Sequence, residues 1–279
     1  MYKARIDTDL GRTAHFSREA GVIFDIDPLS GVDVDISKSQ GFQQLGESVE
    51  TQSVGGITRT IAGVVTSDAV ANSLLIALPA LTKGKLWFND RYYCDIFVKH
   101  SPEFHKDKYG RIKFTMSVFC PVPFWFTGTE TRTEITRYTA SFQFPVIYDE
   151  HTFGEQTVGT MLNIRNTGAV DAPMSALFTT RQEVRNYSIT NFVTGETLKI
   201  NDTLTLGQTV KVFQENGRIR VLKQLADGTT QNIFALLDDD SNLFWIHSGD
   251  NYIEKSAENG ADDLNISVAF NTPHMGVLA

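Results

Sequence analysis

Residues able to do acid–base or metal chemistry are few and scattered along this chain. Of its six histidines, His100 and His105 share one loop-like run with two carboxylates, Glu103 and Asp107. Two imidazoles and two carboxylates at that spacing could hold a metal ion weakly. The run around them is polar and reads as a loop, where such side chains are ordinarily solvated. Asp238-Asp239-Asp240 supplies consecutive carboxylates. A calcium loop needs oxygen ligands at alternating positions around a turn, and Asp238 and Asp240 meet only part of that requirement. Hydrolysis of a sugar needs carboxylates on opposite sides of the ring, which neighbours in sequence do not supply. A solvated hairpin tip is therefore expected at Asp238–Asp240. Trp87, Phe88, Tyr92, Tyr93, Phe124, Trp125, Phe126, Phe244 and Trp245 could stack on saccharides. Their strand-like spacing favours packing in a core or a subunit interface instead. Trp245-Ile246-His247 comes nearest to a sugar constellation, so Trp245 and His247 are the candidate residues for a weak saccharide site.

Motifs that bind phosphate or activate a nucleophile are missing. There is no Gly-x-x-x-x-Gly-Lys-[Ser/Thr], no Gly-x-Ser-x-Gly and no His-Glu-x-x-His. Lys83-Gly84-Lys85 lacks the upstream glycine and the following hydroxyl of a phosphate loop. No catalytic residue, cofactor or metal is expected, and an enzyme is not. The two cysteines, Cys94 and Cys120, fall on the apolar parity of their strands and read as buried thiols. A disulfide would need the two strands adjacent and in register. Met1–Arg5 carries no signal-peptide pattern and no apolar run approaches membrane-span length, so a soluble protein made in the cytosol is expected. On that ground the sequons at Asn186, Asn201 and Asn265 read as chance. The net charge of −8, from 25 basic and 33 acidic residues, disfavours specific nucleic-acid binding. Such affinity rests on Lys and Arg releasing counterions from phosphates.

The elements that must position these residues are mainly strands. The length of 279 residues suggests two domains, and 41% hydrophobic content is enough for real cores. Tyr92, Cys94, Ile96 and Val98 alternate with Tyr93, Asp95, Phe97 and Lys99; Ile112, Phe114, Met116 and Val118 alternate with Arg111, Lys113, Thr115 and Ser117. Each period of two places one apolar set on one face. A polar loop closing on Lys108-Tyr109-Gly110 should join them. Pro121 and Pro123 should stop the second strand, because proline donates nothing to a ladder. Val32, Val34 and Ile36 suggest a strand after the turn Asp27–Gly31, whereas Ser39–Gly46 is too polar and glycine-rich for regular structure. One helix is expected, capped by Ser67 or Asp68, with Val70, Leu74, Leu75, Ala77, Leu78 and Leu81 at helical spacing and Pro79 ending or kinking it. Thr127–Thr139 reads as a polar linker or a solvent-facing strand. The domain boundary should fall between 127 and 142, giving domains 1–135 and 136–279. Eight short strands are expected in the second half: 161–165, 187–192, 196–200, 209–213, 219–222, 243–246, 251–254 and 264–270. Turns at Asn166–Gly168, Thr194-Gly195, Asn216-Gly217, Asp227-Gly228 and Ser248–Asn251 separate them. Such a series favours a sandwich or jelly roll.

One ordered set of residues resembles a known family. It runs Ser39-Gln40-Gly41, Arg59-Thr60-Ile61-Ala62-Gly63, the apolar helix, Leu86-Trp87-Phe88-Asn89-Asp90-Arg91-Tyr92 and Cys120-Pro121-Val122-Pro123-Phe124-Trp125. It continues with Asn163–Gly168, Ile189–Glu196 and Ser248-Gly249-Asp250-Asn251. This order resembles the distal tail (Dit) proteins of siphoviruses, phages with long non-contractile tails, over nearly the full chain. Val122 stands where the family usually has an acidic residue. The resemblance implies a mainly β protein, with an N-terminal β-sandwich-like domain bearing one helix and a C-terminal galectin-like jelly-roll β-sandwich. It implies a structural hub, a hexameric ring of this chain joining the tail tube to the tip or adsorption apparatus. The partners it implies are the tail tube protein, the tail-associated tip protein and the tape-measure protein. The place is the virion tail tip, after assembly in the host cytoplasm. DNA would pass through the ring's lumen without specific binding, and no membrane is involved. His274–Val277 would return to the N-terminal domain. The alternative is a carbohydrate-binding module or adhesin that engages a host-surface saccharide through the C-terminal sandwich.

Overall fold

The computed structural model describes residues 2–32, 34–40, 45–135, 137–139, 155–157, 161–215 and 218–277. The turn at Asn216-Gly217, the segment Gly41–Gln44 and His151 lie outside the described residues. The described residues are mainly β, with one α-helix and several antiparallel sheets among them. The chain divides into two units, one of residues 1–129 with 273–279 and one of residues 130–272.

The first unit is built on one sheet. Its strands run in the order Thr13–Phe16, Ala4–Thr8, Lys83–Phe88, Tyr92–Lys106, Ile112–Cys120, Ile57–Val65, Val22–Asp27. The two ends of that order approach each other, with the rings of Phe16 and Phe24 5.8 Å apart. Such rolling follows from strand twist and closes an apolar interior. Ile6, Phe16, Ile61, Leu86, Phe88, Cys94, Ile96, Phe114, Met116 and Val118 fill it, so the alternation read from the two long strands sets the core face. Gly63 permits the tightest strand approach, since a Cβ there would collide with the Ile23 carbonyl. The helix spans Asp68–Ala77, and its cap is Ser67, whose Oγ accepts the Val70 N–H at 3.3 Å. Ala71, Leu74 and Ala77 are its buried residues. Leu78 is the C-cap before Pro79, so the proline ends the helix rather than kinking it. Leu75 and Leu81 were expected on the apolar stripe but are exposed. Leu81 lies beyond the helix with a positive φ of 68°, which takes it out of helical phase.

Two further differences have physical causes. The strand from Tyr92 continues to Lys106, across the expected loop, with register shifts between Val98 and His100 and between His100 and Glu103. These irregularities leave Phe104 packed on Phe114, ring centroids 6.0 Å apart, so apolar contact extends the ladder. Ser48–Val54, unforeseen, forms a hairpin with Val34–Ser39. The last residues pair within this unit: Trp125 and Phe126 lie opposite His274 and Pro273, and Val277 is in the core.

The second unit is a sandwich. One sheet has the order Thr131–Glu134, Leu264–Phe270, Ala172–Thr180, Thr209–Glu215, Arg218–Gln224, Thr230–Asn232, with Trp245–Ile246 on the start of Ala172–Thr180. The other has the order Met161–Asn166, Gly249–Asn259, Val184–Asn191, Thr197–Leu204. Met174, Ala176, Phe178, Val210, Val212, Ile266 and Val268 from the first share one core with Tyr187, Ile189, Leu198, Ile200 and Ile253 from the second. Phe178 and Tyr187 meet between the sheets at 5.2 Å. Thr131–Glu134 is thus an edge strand paired with Ser267–Phe270, not a linker. Arg137–Thr139 and Glu155–Thr157 form a separate two-stranded ribbon.

Candidate functional site

Three sites gather the residues singled out in the sequence, and two of them are polar corners. In the second unit, Asn166, Asn191 and Asn251 end or begin three neighbouring strands of the smaller sheet, and all three are buried. A buried amide must satisfy both donor and acceptor capacity. Asn251 Nδ2 donates to the carbonyls of His247 (2.7 Å), Gly249 (3.2 Å) and Ile164 (3.3 Å). Its Oδ1 accepts the His247 N–H at 2.9 Å and the Asn191 Nδ2 at 3.3 Å. Asn166 Nδ2 donates to the carbonyls of Val170 and Ile246, and its Oδ1 accepts the Gly168 N–H. Asn191 Oδ1 accepts the Val193 N–H and fixes the turn before Gly195, whose φ is 73°. The motifs Asn163–Gly168, Ile189–Glu196 and Ser248–Asn251 are therefore one interlocked corner.

His247 sits on that corner with its side chain 39% exposed. Nδ1 lies 2.8 Å from Asp171 and Nε2 lies 3.3 Å from Glu196. Partial burial pulls the imidazole down, but hydrogen bonds to Asp171 and Glu196 outweigh it and raise the pKa above 6.5. A histidine raised in the folded state stabilises fully below its unfolded pKa and loses that contribution as pH rises through the folded value. The stability difference between the protein and His247→Gln is expected to be largest in acid and to vanish at alkaline pH. Thermal melts of both forms across pH 5–9, the usual span of histidine effects, check this. A pH-independent difference would contradict it.

Trp245, the other saccharide candidate, pairs opposite Pro173 and is 37% exposed. Phe192, Val193 and Tyr252 are also exposed at these turns. Asp238 is a latch: its carboxylate accepts from Asn201 Nδ2 and Lys199 Nζ, both at 3.1 Å, which lower its pKa. His105 lies 3.7 Å from Glu103, whereas Asp107 is bound to Arg111 at 2.7 Å, so the four residues do not converge. Among the described residues no cluster of three or more His, Cys, Asp or Glu could hold a metal.

In the first unit, Arg59 and Trp125 form the second corner. Both are wholly buried, and the guanidinium lies 4.8 Å from the indole centre. Arg59 donates to the carbonyls of Pro28 and of Pro123, the latter at 2.9 Å. Trp125 Nε1 donates to Leu29 at 3.0 Å. No carboxylate pairs with Arg59 among the described residues, and carbonyl oxygens and the indole face take that place. Phe88, Phe126 and Phe244 are likewise buried, whereas Trp87 and Tyr93 are half-buried and stack 5.1 Å apart beneath Arg5 and Lys85.

The third site is the hairpin of Val34–Ser39 and Ser48–Val54. Each of its residues whose burial is described is exposed. Its register places Val34, Ile36, Val54 and, past a bulge, Val49 on one face together with Lys38, with Asp35, Ser37, Thr51 and Ser53 on the other. Ile36 is 48% and Val49 59% exposed. The hairpin has one apolar face that no described part of its own chain covers.

No family model and no curated protein matches the chain. Solved structures do. The chain resembles Dit (gp 19.1) of phage SPP1, described as a paradigm of the hub adsorption apparatus in phages infecting Gram-positive hosts. The identity is 13%, with 98% of this chain and 99% of that one covered and a TM-score of 0.68. It also resembles a chain of the phage p2 baseplate in its activated conformation, with 11% identity, 96% and 98% coverage and a TM-score of 0.50. The fold is thus shared along nearly the full length with this hub protein and this baseplate chain.

Proposed function

We propose that this protein is a structural hub of a long phage tail or tail-like particle. It would act without catalysis, and copies of it would close into a ring joining the tail tube to the tip apparatus. The observation that carries this reading is the uncovered apolar face of the Val34–Val54 hairpin. A lone two-stranded hairpin is marginal in water, and an exposed apolar face invites a partner. A second copy supplies one if the face docks on a different surface of its neighbour, the head-to-tail arrangement that generates rings. Leu75 and Ile76, exposed on the helix, add apolar surface in the same unit. The full-length likeness to the hub protein supports the role, and the family resemblance supports six copies and the tube, tip and tape-measure proteins as neighbours.

The test is the mass of the purified protein by light scattering, with negative-stain images of the same sample, alone and mixed with tube and tip proteins. A ring is expected, and Ile36→Asp with Val49→Asp should return it to monomer while leaving circular dichroism unchanged. Stable interfaces of this kind bury roughly 1,200 Å² or more, so two charges at the centre should weaken assembly at least ~100-fold. A protein that stays monomeric even with its tube and tip partners would overturn the hub reading.

A further inference from the structure

Cys94 and Cys120 are the chain's two cysteines, and nothing in the hub role uses them. Cys94 lies in Tyr92–Lys106 and Cys120 ends the neighbouring strand Ile112–Cys120. Both are free and wholly buried, and their Sγ atoms are 3.7 Å apart. A disulfide bond is about 2.05 Å long, so the sulfurs need to close by only about 1.7 Å. The strand end at Cys120, followed by Pro121, is where such a shift is easiest. We propose that Cys94 and Cys120 are a redox pair that closes to an intramolecular disulfide when the folded protein meets a peroxide or similar two-electron oxidant.

The surroundings divide the work between the two sulfurs. A hydrogen bond from Cys94 and the adjacent Arg59 cation pull Cys120 down, against its burial. Burial pushes Cys94 up. Cys120, the last residue of its strand before Pro121, is the sulfur that local opening exposes first and is assigned the first attack, with Cys94 resolving. The Cys120 thiolate attacks hydrogen peroxide, the O–O bond breaks, and sulfenic acid and hydroxide form. The Cys94 sulfur then attacks the Cys120 sulfur, the S–O bond breaks, and water leaves with the Cys94 proton. Two thiols and one peroxide give one disulfide and two waters, since the hydroxide takes the proton that Cys120 had lost. Two electrons pass from sulfur to peroxide. Because neither thiol touches solvent, the first step proceeds through local opening of this strand end and is slow. The product ties two neighbouring strands beside the Arg59–Trp125 corner and constrains the unfolded chain.

The experiment uses the full chain, reduced and then exposed to hydrogen peroxide for hours. Thiols are then alkylated under denaturing conditions, and the peptides holding Cys94 and Cys120 are measured by mass spectrometry. The expected result is loss of both alkylatable thiols together and a linked peptide pair about 2 Da lighter than its two reduced parts. The rate should not depend on protein concentration, dithiothreitol should reverse the change, and the melting temperature should rise by about 5 °C. Cys94→Ser should leave Cys120 to overoxidise instead. Thiols that stay alkylatable, oxygen addition without linkage in the unmutated chain, or linkage between chains would each overturn the proposal. None of these outcomes bears on ring formation, so the hub reading stands or falls separately.

Discussion

Replacing Trp125 by alanine is expected to destabilise the first unit by about 3–5 kcal/mol, the range for emptying a buried aromatic site. The indole is wholly enclosed and packs on Phe88 at 5.9 Å. Its loss removes one of the two donors to the Leu29 carbonyl, which keeps the Val277 N–H at 3.3 Å, and removes the face that Arg59 covers. Arg59 would then keep only the carbonyls of Pro28 and Pro123, with its Nε already lacking a partner among the described residues. The C-terminal pairing should loosen as well, since Trp125 lies opposite His274. Urea unfolding followed by far-UV circular dichroism, with hydrogen exchange over Ile57–Val65 and Ile112–Cys120, checks this. A change under about 1 kcal/mol would mean that the corner repacks without the indole.

Asn251→Leu should cost the second unit a similar amount, about 3–5 kcal/mol, for a different reason. The branched shape is kept, but the polar accounting fails. The carbonyls of His247, Gly249 and Ile164 lose a donor, and the His247 N–H and Asn191 Nδ2 lose an acceptor. Each buried group left unpaired costs roughly 1–3 kcal/mol, and some of these will find water. Asn251→Asp should be no better, because a carboxylate keeps the acceptor but turns an anion toward three carbonyls. Equilibrium unfolding of both variants, together with hydrogen exchange at residues 161–166 and 184–191, decides the matter. Wild-type stability in either variant would show that the asparagine is not what holds the corner.

Much of the fold was legible locally. Leu264–Phe270 has the bounds that alternation gave it, and the helix begins at the serine cap and stops before Pro79. Ile112–Cys120 ends where Pro121 begins. Ala172–Thr180 went unseen although its buried set, Ala172, Met174, Ala176 and Phe178, alternates strictly. Two of those four are alanines, and Pro173 is the strand's second residue, so the hydrophobic contrast is weak. Ser48–Val54 is polar enough to pass for loop, and only its pairing with Val34–Ser39 makes it a strand.

The sites were legible only as separate pieces. Asn166 and Asn251 sit in motifs marked by turn chemistry, Asn191 in the segment Ile189–Glu196 that carries part of the family resemblance, and His247 beside Trp245 as a sugar candidate. Nothing in the chain's order places Asp171 and Glu196 on either side of that ring, or Arg59 on the carbonyl of Pro123. The chain's local pattern therefore sets most of its strands, the apolar face of each, the place of its turns and the lack of catalytic motifs. Those properties depend on neighbours two to four residues apart. Which buried polar groups meet, which cysteines touch and which hairpin is left uncovered were decided by the tertiary structure alone. They depend on the register of strands far apart in the chain, where a shift of one residue turns every side chain to the other face.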